Sequence, residues 1–407
     1  MRNTGRGYRE PTPLAAIGGV AEVLLTSEAR ITGQGYRRCC VRRSSWVSVG
    51  VARFGDVDAV EVDAGEHQVR VSSPDRVIFP SDSAPVTKLD VVQYYVAVGD
   101  GILRALRDRP TALERWPKGV LPGMKLTARE ATHGRGPQGD AFYQKRMMRG
   151  APDWAKPSRV LFPSGRSAEE LCPDSVAAVA WAAQMGAITF HPWPTRSSDN
   201  DRPDELRIDL DPHGKTSFGD AVTAALVARD LLADVGIRAF VKTSGKHGIH
   251  VYIRIAPQWT FTDVRHAAIA VGRRLEQHAD VTTAWWKEER GDRIFVDFNQ
   301  NCRDRTIASA YSLRPRPEAP VSMPLDWSDL SSVDDPREFT LHTVPALLAE
   351  RGDAHAEIDD VEHSLEPLLE WWAEDPREMP YPPEYPKMPG EPKRVQPSKD
   401  TRNTGKK

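Results

Sequence analysis

The chain has 407 residues, 40% of them hydrophobic, with a formal net charge of −2. That is enough apolar content for one large or two ordinary cores, and no run of about 18 apolar residues is present to span a membrane. The charge is uneven: residues 102–159 hold 13 Lys/Arg against 5 Asp/Glu, and residues 321–390 hold 4 against 17, so the first stretch offers either a polyanion-binding surface or a solvated mixed face.

Residues 1–56 are rich in Gly and Arg, lack sustained periodicity and contain Arg37-Arg38-Cys39-Cys40-Val41-Arg42-Arg43. They are expected to be a disordered extension, read either as a DNA-binding arm or as sequence upstream of the true start. Gly18, Gly19 and Glu22 interrupt the mildly apolar Leu14–Leu25, which excludes a signal peptide. Order is expected from Val57–Val62, which alternates and pairs with Gln68–Val71 across the Ala64-Gly65 turn. Thr87 is a natural N-cap for a helix reaching Val98, with Asp90 in its first turn. Ser175–Met185 predicts a helix, Ala187–His191 a strand, and Leu206–Asp211 a second strand ended by Pro212. Phe218–Val235 has helical periodicity, Ala239–Thr243 and Ile249–Ile255 are strands flanking a glycine turn, Thr262–His278 is an amphipathic helix, and Ile294–Phe298 is a strand. Leu341–Glu350 and Val361–Trp372 predict two terminal helices, and the Pro-rich end reads as extended. The alternation gives a catalytic domain of mixed α and β over residues 57–330, a helical segment over 331–374 and a tail over 375–407. Cys39, Cys40, Cys172 and Cys302 show no metal-ligand spacing and no disulfide framework, which fits a reducing, cytoplasmic compartment.

Chemistry concentrates at five places. In Leu206-Arg207-Ile208-Asp209-Leu210-Asp211 the two acids share one strand face, and like charges held that close suit a divalent cation. Asp297 ends another apolar alternation and is the natural third ligand. Either signal alone also fits a turn cap or a structural ion. The turn Lys242-Thr243-Ser244-Gly245-Lys246-His247-Gly248-Ile249-His250 exposes backbone N–H groups and supplies Ser244, Lys246 and His250 as donors, as a triphosphate needs, or is a plain hairpin; it lacks Walker A spacing. Arg303, Arg305, Arg314 and Arg316 form a basic row that could clamp phosphates or face solvent. Phe142-Tyr143-Gln144-Lys145-Arg146 interleaves aromatics with cations, as single-strand contact requires, unless the aromatics are simply buried.

Asp-Leu-Asp-Pro at 209–212, Ser-Gly-Lys-x-Gly-Ile-His at 244–250, Val-Asp-Phe-Asn-Gln-Asn at 296–301 and Tyr-Ser-Leu-Arg at 311–314 resemble, in that order, the archaeo-eukaryotic primase superfamily. Within it the chain is similar to the polymerase domain of bacterial non-homologous end-joining ligases, and its Pro-rich ending at 381–393 to their stand-alone relatives. The resemblance implies an α+β, primase-like core of mixed sheets flanked by helices. It implies a primase-polymerase that adds nucleotides, preferably ribonucleotides, to a primer 3′-OH at gaps or breaks, using two Mn²⁺ or Mg²⁺ ions on Asp209, Asp211 and Asp297. It assigns nucleotide contacts to His191, Ser244, Lys246, His250 and Arg314, with Arg305 in the same basic row. It assigns DNA contacts to Phe142, Tyr143 and Lys145, and the 5′-phosphate at a gap to Ser73, Arg76 and Lys88. Ser73 and Arg76 stand where the family usually has Asn and Lys, and Glu114 stands where relatives often carry a basic residue, which weakens one expected DNA or nucleotide contact. The nearest approach to a ligase Lys-x-Asp-Gly motif, Lys88-Leu89-Asp90-Val91, lacks the glycine. Sealing is therefore expected from a separate ligase, with a Ku-type end-binding protein as a further partner at the nucleoid. A non-catalytic DNA-end module and a metal-dependent nuclease are the rival readings; clustered acids argue against the first and the triphosphate-type turn against the second.

Overall fold

The computed structural model describes residues 58–81, 85–127 and 140–382; the expected extension, with Cys39 and Cys40, and the tail beyond residue 382 lie outside the described residues. Ala59–Asp63 (β1) and Gln68–Ser72 (β2) pair antiparallel, as their alternation predicts. Helix α1 (Lys88–Ala97) begins at a capping box: the Thr87 hydroxyl accepts the Asp90 N–H, and the Asp90 carboxylate accepts the Thr87 N–H. Helix α2 (Gly99–Leu106), not among the elements expected from the sequence, follows directly. The Ala-rich α3 (Val176–Gln184), capped by Ser175, packs against α1.

Two six-stranded sheets among the described residues carry the site. In the first, Thr111–Arg115 (β3) lies between Ala141–Gln144 (β4) and Ala187–Pro192 (β5), antiparallel to both. The second contains Glu205–Asp211 (β6), Phe240–Thr243 (β7), Ile249–Arg254 (β8) and Ile294–Val296 (β9), ordered β9-β6-β8-β7 with two-residue strands outermost. Strand β6 decides the layering. Leu206, Ile208 and Leu210 are buried on one face, where α4 (Phe218–Asp234) and α5 (Phe261–Glu276) pack, each such side chain contributing about 1.5–3 kcal/mol. Glu205, Arg207, Asp209 and Asp211 line the other face as a polar row. Capping boxes of Ser217 with Asp220 and Thr260 with Asp263 start the two helices.

Three boundaries differ from expectation. Strand β9 stops at Val296, because the Asp297 carboxylate accepts the Asn299 N–H and opens a 3₁₀ turn over Phe298–Asn301. The terminal helices run Val344–Arg351 and Glu366–Glu374, each with proline in its first turn, where a missing N–H costs nothing. The second of these lies on α5, with the His266 and Trp372 rings stacked at 4.0 Å. Among the described residues no helix is long and apolar enough to cross a membrane.

Candidate active site

Strand register runs Asp209, His250 and Lys242 into one row across β6, β8 and β7. Side chains opposite one another on neighbouring strands lie within reach. His250 Nε2 is 3.4 Å from Asp209 Oδ1, and Lys242 Nζ is 2.7 Å from His250 Nδ1. Lys242 is fully buried and also donates to Ser322 Oγ at 2.5 Å. Lys242 stands beside the glycine turn in the sequence, and pairing across strands, which one sequence does not display, sets it behind His250.

Strand β9 delivers the third acid. The Asp297 N–H donates to the Asp209 carbonyl at 2.9 Å. The Asp297 carboxylate is held by the Asn299 N–H at 3.0 Å and by Gln300 Nε2 at 2.9 Å. Asn301 clamps the strand from behind, donating to the Arg207 carbonyl and accepting the Arg207 N–H. Burial, then the charges of Asp211 and Asp297, push Asp209 well above the usual carboxylate range. Burial lifts Asp297 to about 6, with Asp211 adding to the shift. Asp211, at the exposed strand end, is raised through lost hydration on its inner side, against Arg290, Lys246 and Arg314. Asp209 Oδ1 is buried without a hydrogen-bond partner, a cost of about 1–3 kcal/mol. Among the described residues no three ligand groups stand as a ready-made metal cage. An orphaned carboxylate oxygen beside two further acids nevertheless fits a divalent cation, which would satisfy that oxygen and cancel the repulsion.

The repulsion can be tested without any reaction. Asp297 has a folded-state value above its unfolded one, so its contribution to stability is complete below about pH 4 and is lost as pH rises through about 6. In chelator, Asp297→Asn is expected to be more stable than the parent at pH 8 by roughly 1–2 kcal/mol, and to lose that advantage at pH 4. Thermal melts at both pH values measure this; an Asn variant that melts lower at pH 8 would contradict it.

Facing the acids is the turn between β7 and β8. Ser244 Oγ accepts the N–H groups of Lys246 (3.2 Å) and Gly248 (3.0 Å). A Cβ at Gly245, whose φ is +69°, would meet Arg314 Cγ at 2.6 Å; one at Gly248 would meet the Leu210 carbonyl at 2.5 Å and Asp211 Oδ1 at 3.0 Å. Glycine thus lets the turn lie directly on the acids and on Arg314. Arg314 is 8% exposed, and its Nε has no hydrogen-bond partner. Lys246 is pushed down to about 8, foremost by Arg314 and then by burial. Two crowded cations, one with a buried N–H lacking a partner, make an anion receptor. Arg305 lies beyond the Asp297 turn, half-buried, its N–H on the Cys302 carbonyl.

The first sheet supplies the opposite wall. Glu114 is paired with Thr189 and Tyr143 in the strand register. Its Oε2 is 3.4 Å from His191 Nε2, and its Oε1 accepts the Trp116 indole N–H at 3.1 Å. Tyr143 meets His191 edge to face at 5.4 Å. Burial opposes ionisation of Glu114, but the hydrogen bond from His191, then the Arg314 charge and the Trp116 indole N–H, hold it below the usual carboxylate range. Glu114 is therefore an internal partner of the pocket and not a surface contact. Phe142 lies on the other face of β4, buried, with Arg115 above its ring at 5.3 Å, so the aromatic pair is split between two environments. Lys145 pairs with Asp304 at 2.5 Å.

A second basic cluster sits at the start of α1. Lys88 Nζ donates to Gln184 Oε1 (3.1 Å) and Ser72 Oγ (3.4 Å), and burial, then the Arg76 charge, lowers its pKa. Arg76 Nη1 donates to the Pro117 carbonyl at 3.1 Å, and the Arg76 carbonyl accepts the Lys88 N–H. Ser73 turns through a left-handed φ of 48° to tie its N–H to the Asp58 carbonyl, so Ser72 is the serine that touches Lys88. Gln184, from the end of α3, has no sequence signal.

Residues 87–355 match the family model described as LigD, primase-polymerase domain. The multifunctional non-homologous end joining DNA repair protein LigD of Mycobacterium tuberculosis is 31% identical over 308 residues, which cover 73% of this chain and 38% of that protein. LigD of Pseudomonas aeruginosa is 31% identical over 69% of this chain and 31% of that one, and the bifunctional LigD of Bacillus subtilis is 28% identical over 70% and 43%. The chain thus spans less than half the length of these relatives. The solved polymerase domain of Mycobacterium tuberculosis Ligase D in complex with DNA is 30% identical, with a TM-score of 0.62, and the match covers 73% of this chain and all of that one.

Proposed function

The chain belongs to the LigD primase-polymerase domain family, and from that premise we propose that it is a template-dependent nucleotidyltransferase extending a primer 3′-OH at short gaps or broken DNA ends. One arrangement carries the reading: Asp209, with its orphaned Oδ1, lies with Asp211 and Asp297 beneath a glycine turn that rests on Arg314. Two divalent cations held by the three acids, Mn²⁺ or Mg²⁺, would acidify the 3′-OH and neutralise charge on the α-phosphate.

The remaining groups position substrates. Lys246 and Arg314 hold the triphosphate, and the turn tied by Ser244 keeps both against it. His250 presents its Nε2 beside Asp209, steadied from behind by Lys242. His191 and Tyr143 form the wall toward the sugar and the templating base, and Arg305, Lys145 and Phe142 extend the surface for nucleotide and template. Ribonucleotides are the preferred substrate, since a 2′-OH can both donate and accept in a polar pocket. Arg76 and Lys88, with Ser72 and Ser73, take the 5′-phosphate across the gap. The catalytic domain is assigned to residues 57–330, braced by the helical segment over 331–374 and followed by the tail over 375–407. A separate ligase and a Ku-type end-binding protein complete repair, at chromosomal DNA in the cytoplasm.

Addition across a one-nucleotide gap tests this. Ribonucleoside and deoxyribonucleoside triphosphates, Mn²⁺ and Mg²⁺, and 5′-phosphate and 5′-hydroxyl ends are compared. The 5′-phosphate is expected to raise kcat/KM, and Lys88→Ala to remove about tenfold of that advantage, the worth of one charge-assisted hydrogen bond, while leaving 5′-hydroxyl gaps unaffected. No incorporation with any combination would overturn the reading.

A further inference from the structure

Glu114 is ionised in its pocket, and an ionised carboxylate only accepts hydrogen bonds. Its Oε1 takes the Trp116 indole N–H, and its Oε2 lies 3.4 Å from His191 Nε2. The Nε2 atom must then carry the proton, which leaves Nδ1 of a neutral imidazole as a bare acceptor. Burial holds His191 neutral, helped by the charges of Arg314 and Lys246. Among the described residues Nδ1 has no hydrogen-bond partner, and His191 keeps 6% of its surface open.

A bare acceptor repels phosphate oxygens, and the nearby cations already suit those. It needs a donor. A base offers amino groups only in some nucleotides, and template pairing uses them. The sugar hydroxyls are the donors common to all four. We propose that Glu114 is a positioning residue that fixes the His191 tautomer, so that Nδ1 accepts a hydrogen bond from a sugar hydroxyl of the incoming nucleotide. The sugar is then read through a carboxylate that does not touch it. This rests on the nucleotidyl-transfer reading above.

Single-nucleotide addition with ribo-, 2′-deoxy- and 3′-deoxyribonucleoside triphosphates separates the two. In the parent, deleting the accepted hydroxyl is expected to lower kcat/KM about tenfold. In Glu114→Leu that penalty shrinks by about five- to tenfold, whereas Glu114→Gln, whose amide oxygen can still take the Nε2 proton, keeps most of it. A merely structural defect would scale all three nucleotides equally, so unchanged ratios in Glu114→Leu overturn the proposal. Imidazole ¹⁵N shifts in the unmodified protein provide a second measurement that needs no variant: an Nε2–H tautomer for His191 is expected, and an Nδ1–H tautomer overturns it. A parent that extends no primer refutes the nucleotidyl-transfer reading instead; a parent that extends but responds equally to all three sugars refutes the sugar contact at His191 Nδ1 and the ribonucleotide preference, and leaves nucleotidyl transfer standing.

Discussion

Asp209→Asn is expected to reduce primer extension to about one-thousandth of the parent rate or below while leaving the affinity for gapped DNA intact. The side chain keeps its size, so the β6–β8 pairing that aligns residue 209 with His250 is preserved. What disappears is the negative charge on an oxygen that has no hydrogen-bond partner in the protein. Metal-assisted stabilisation of a phosphoryl-transfer transition state supplies several kcal/mol, and each 1.36 kcal/mol is a factor of ten in rate; about 4 kcal/mol gives the expected thousandfold. DNA affinity should hold or rise, because one of three acids near a polyanion has been neutralised. Single-turnover extension and a binding isotherm at fixed salt measure the two quantities. Loss of binding in step with activity would point to misfolding, and retained extension would remove Asp209 from the chemistry and favour a DNA-end module.

The acids were readable because strand alternation is a local rule: Asp209 and Asp211 share a face whatever lies across from them. The start of α1 was readable for the same reason, since Thr87 carries its partner Asp90 three residues away; Ser217 with Asp220 and Thr260 with Asp263 hold the same local signal, although the last of these helices was expected to start at Thr262. What the sequence hid is long-range. Lys242 reaches His250 only through the β7–β8 register. Gln184 reaches Lys88 across 96 positions, and Glu114 reaches His191 across 77. An acid before Arg115-Trp116 reads as a weakened surface contact until the sheet turns it inward. Adjacent residues in a strand face opposite ways, which sets Phe142 and Tyr143 in different surroundings. The hairpins Pro157–Leu161 with Ser167–Leu171, and Thr195–Arg196 with Asp199–Pro203, went unpredicted because their strands are short and largely polar.

The polar row on β6 carries the largest expected loss of stability at its other end. Glu205 is 3% exposed. It accepts Arg207 Nε at 2.5 Å, bonds Arg254 Nη1, and lies 3.4 Å from Arg109 Nη2. Burial opposes its ionisation, but the charges of Arg207, Arg109 and Arg254 overcome this and hold it well below the usual carboxylate range. Because the folded-state value is depressed, its contribution is present above about pH 4.5 and fades as pH falls below it. Glu205→Ala removes the shared acceptor and leaves three buried guanidinium groups undercompensated, with Asp204 bonded to Arg109 and Arg196 and Asp359 to Arg254 and Arg196. The expected cost at pH 7 is about 3–5 kcal/mol, a large share of the roughly 5–15 kcal/mol that holds a typical domain together. Urea unfolding should show a lower midpoint at unchanged slope. Adding Arg254→Leu should cost less than that change does alone, because the guanidinium it removes has already lost its buried acceptor and keeps only the half-exposed Asp359. Strict additivity of the two substitutions would mean that Glu205 and Arg254 do not act as a pair.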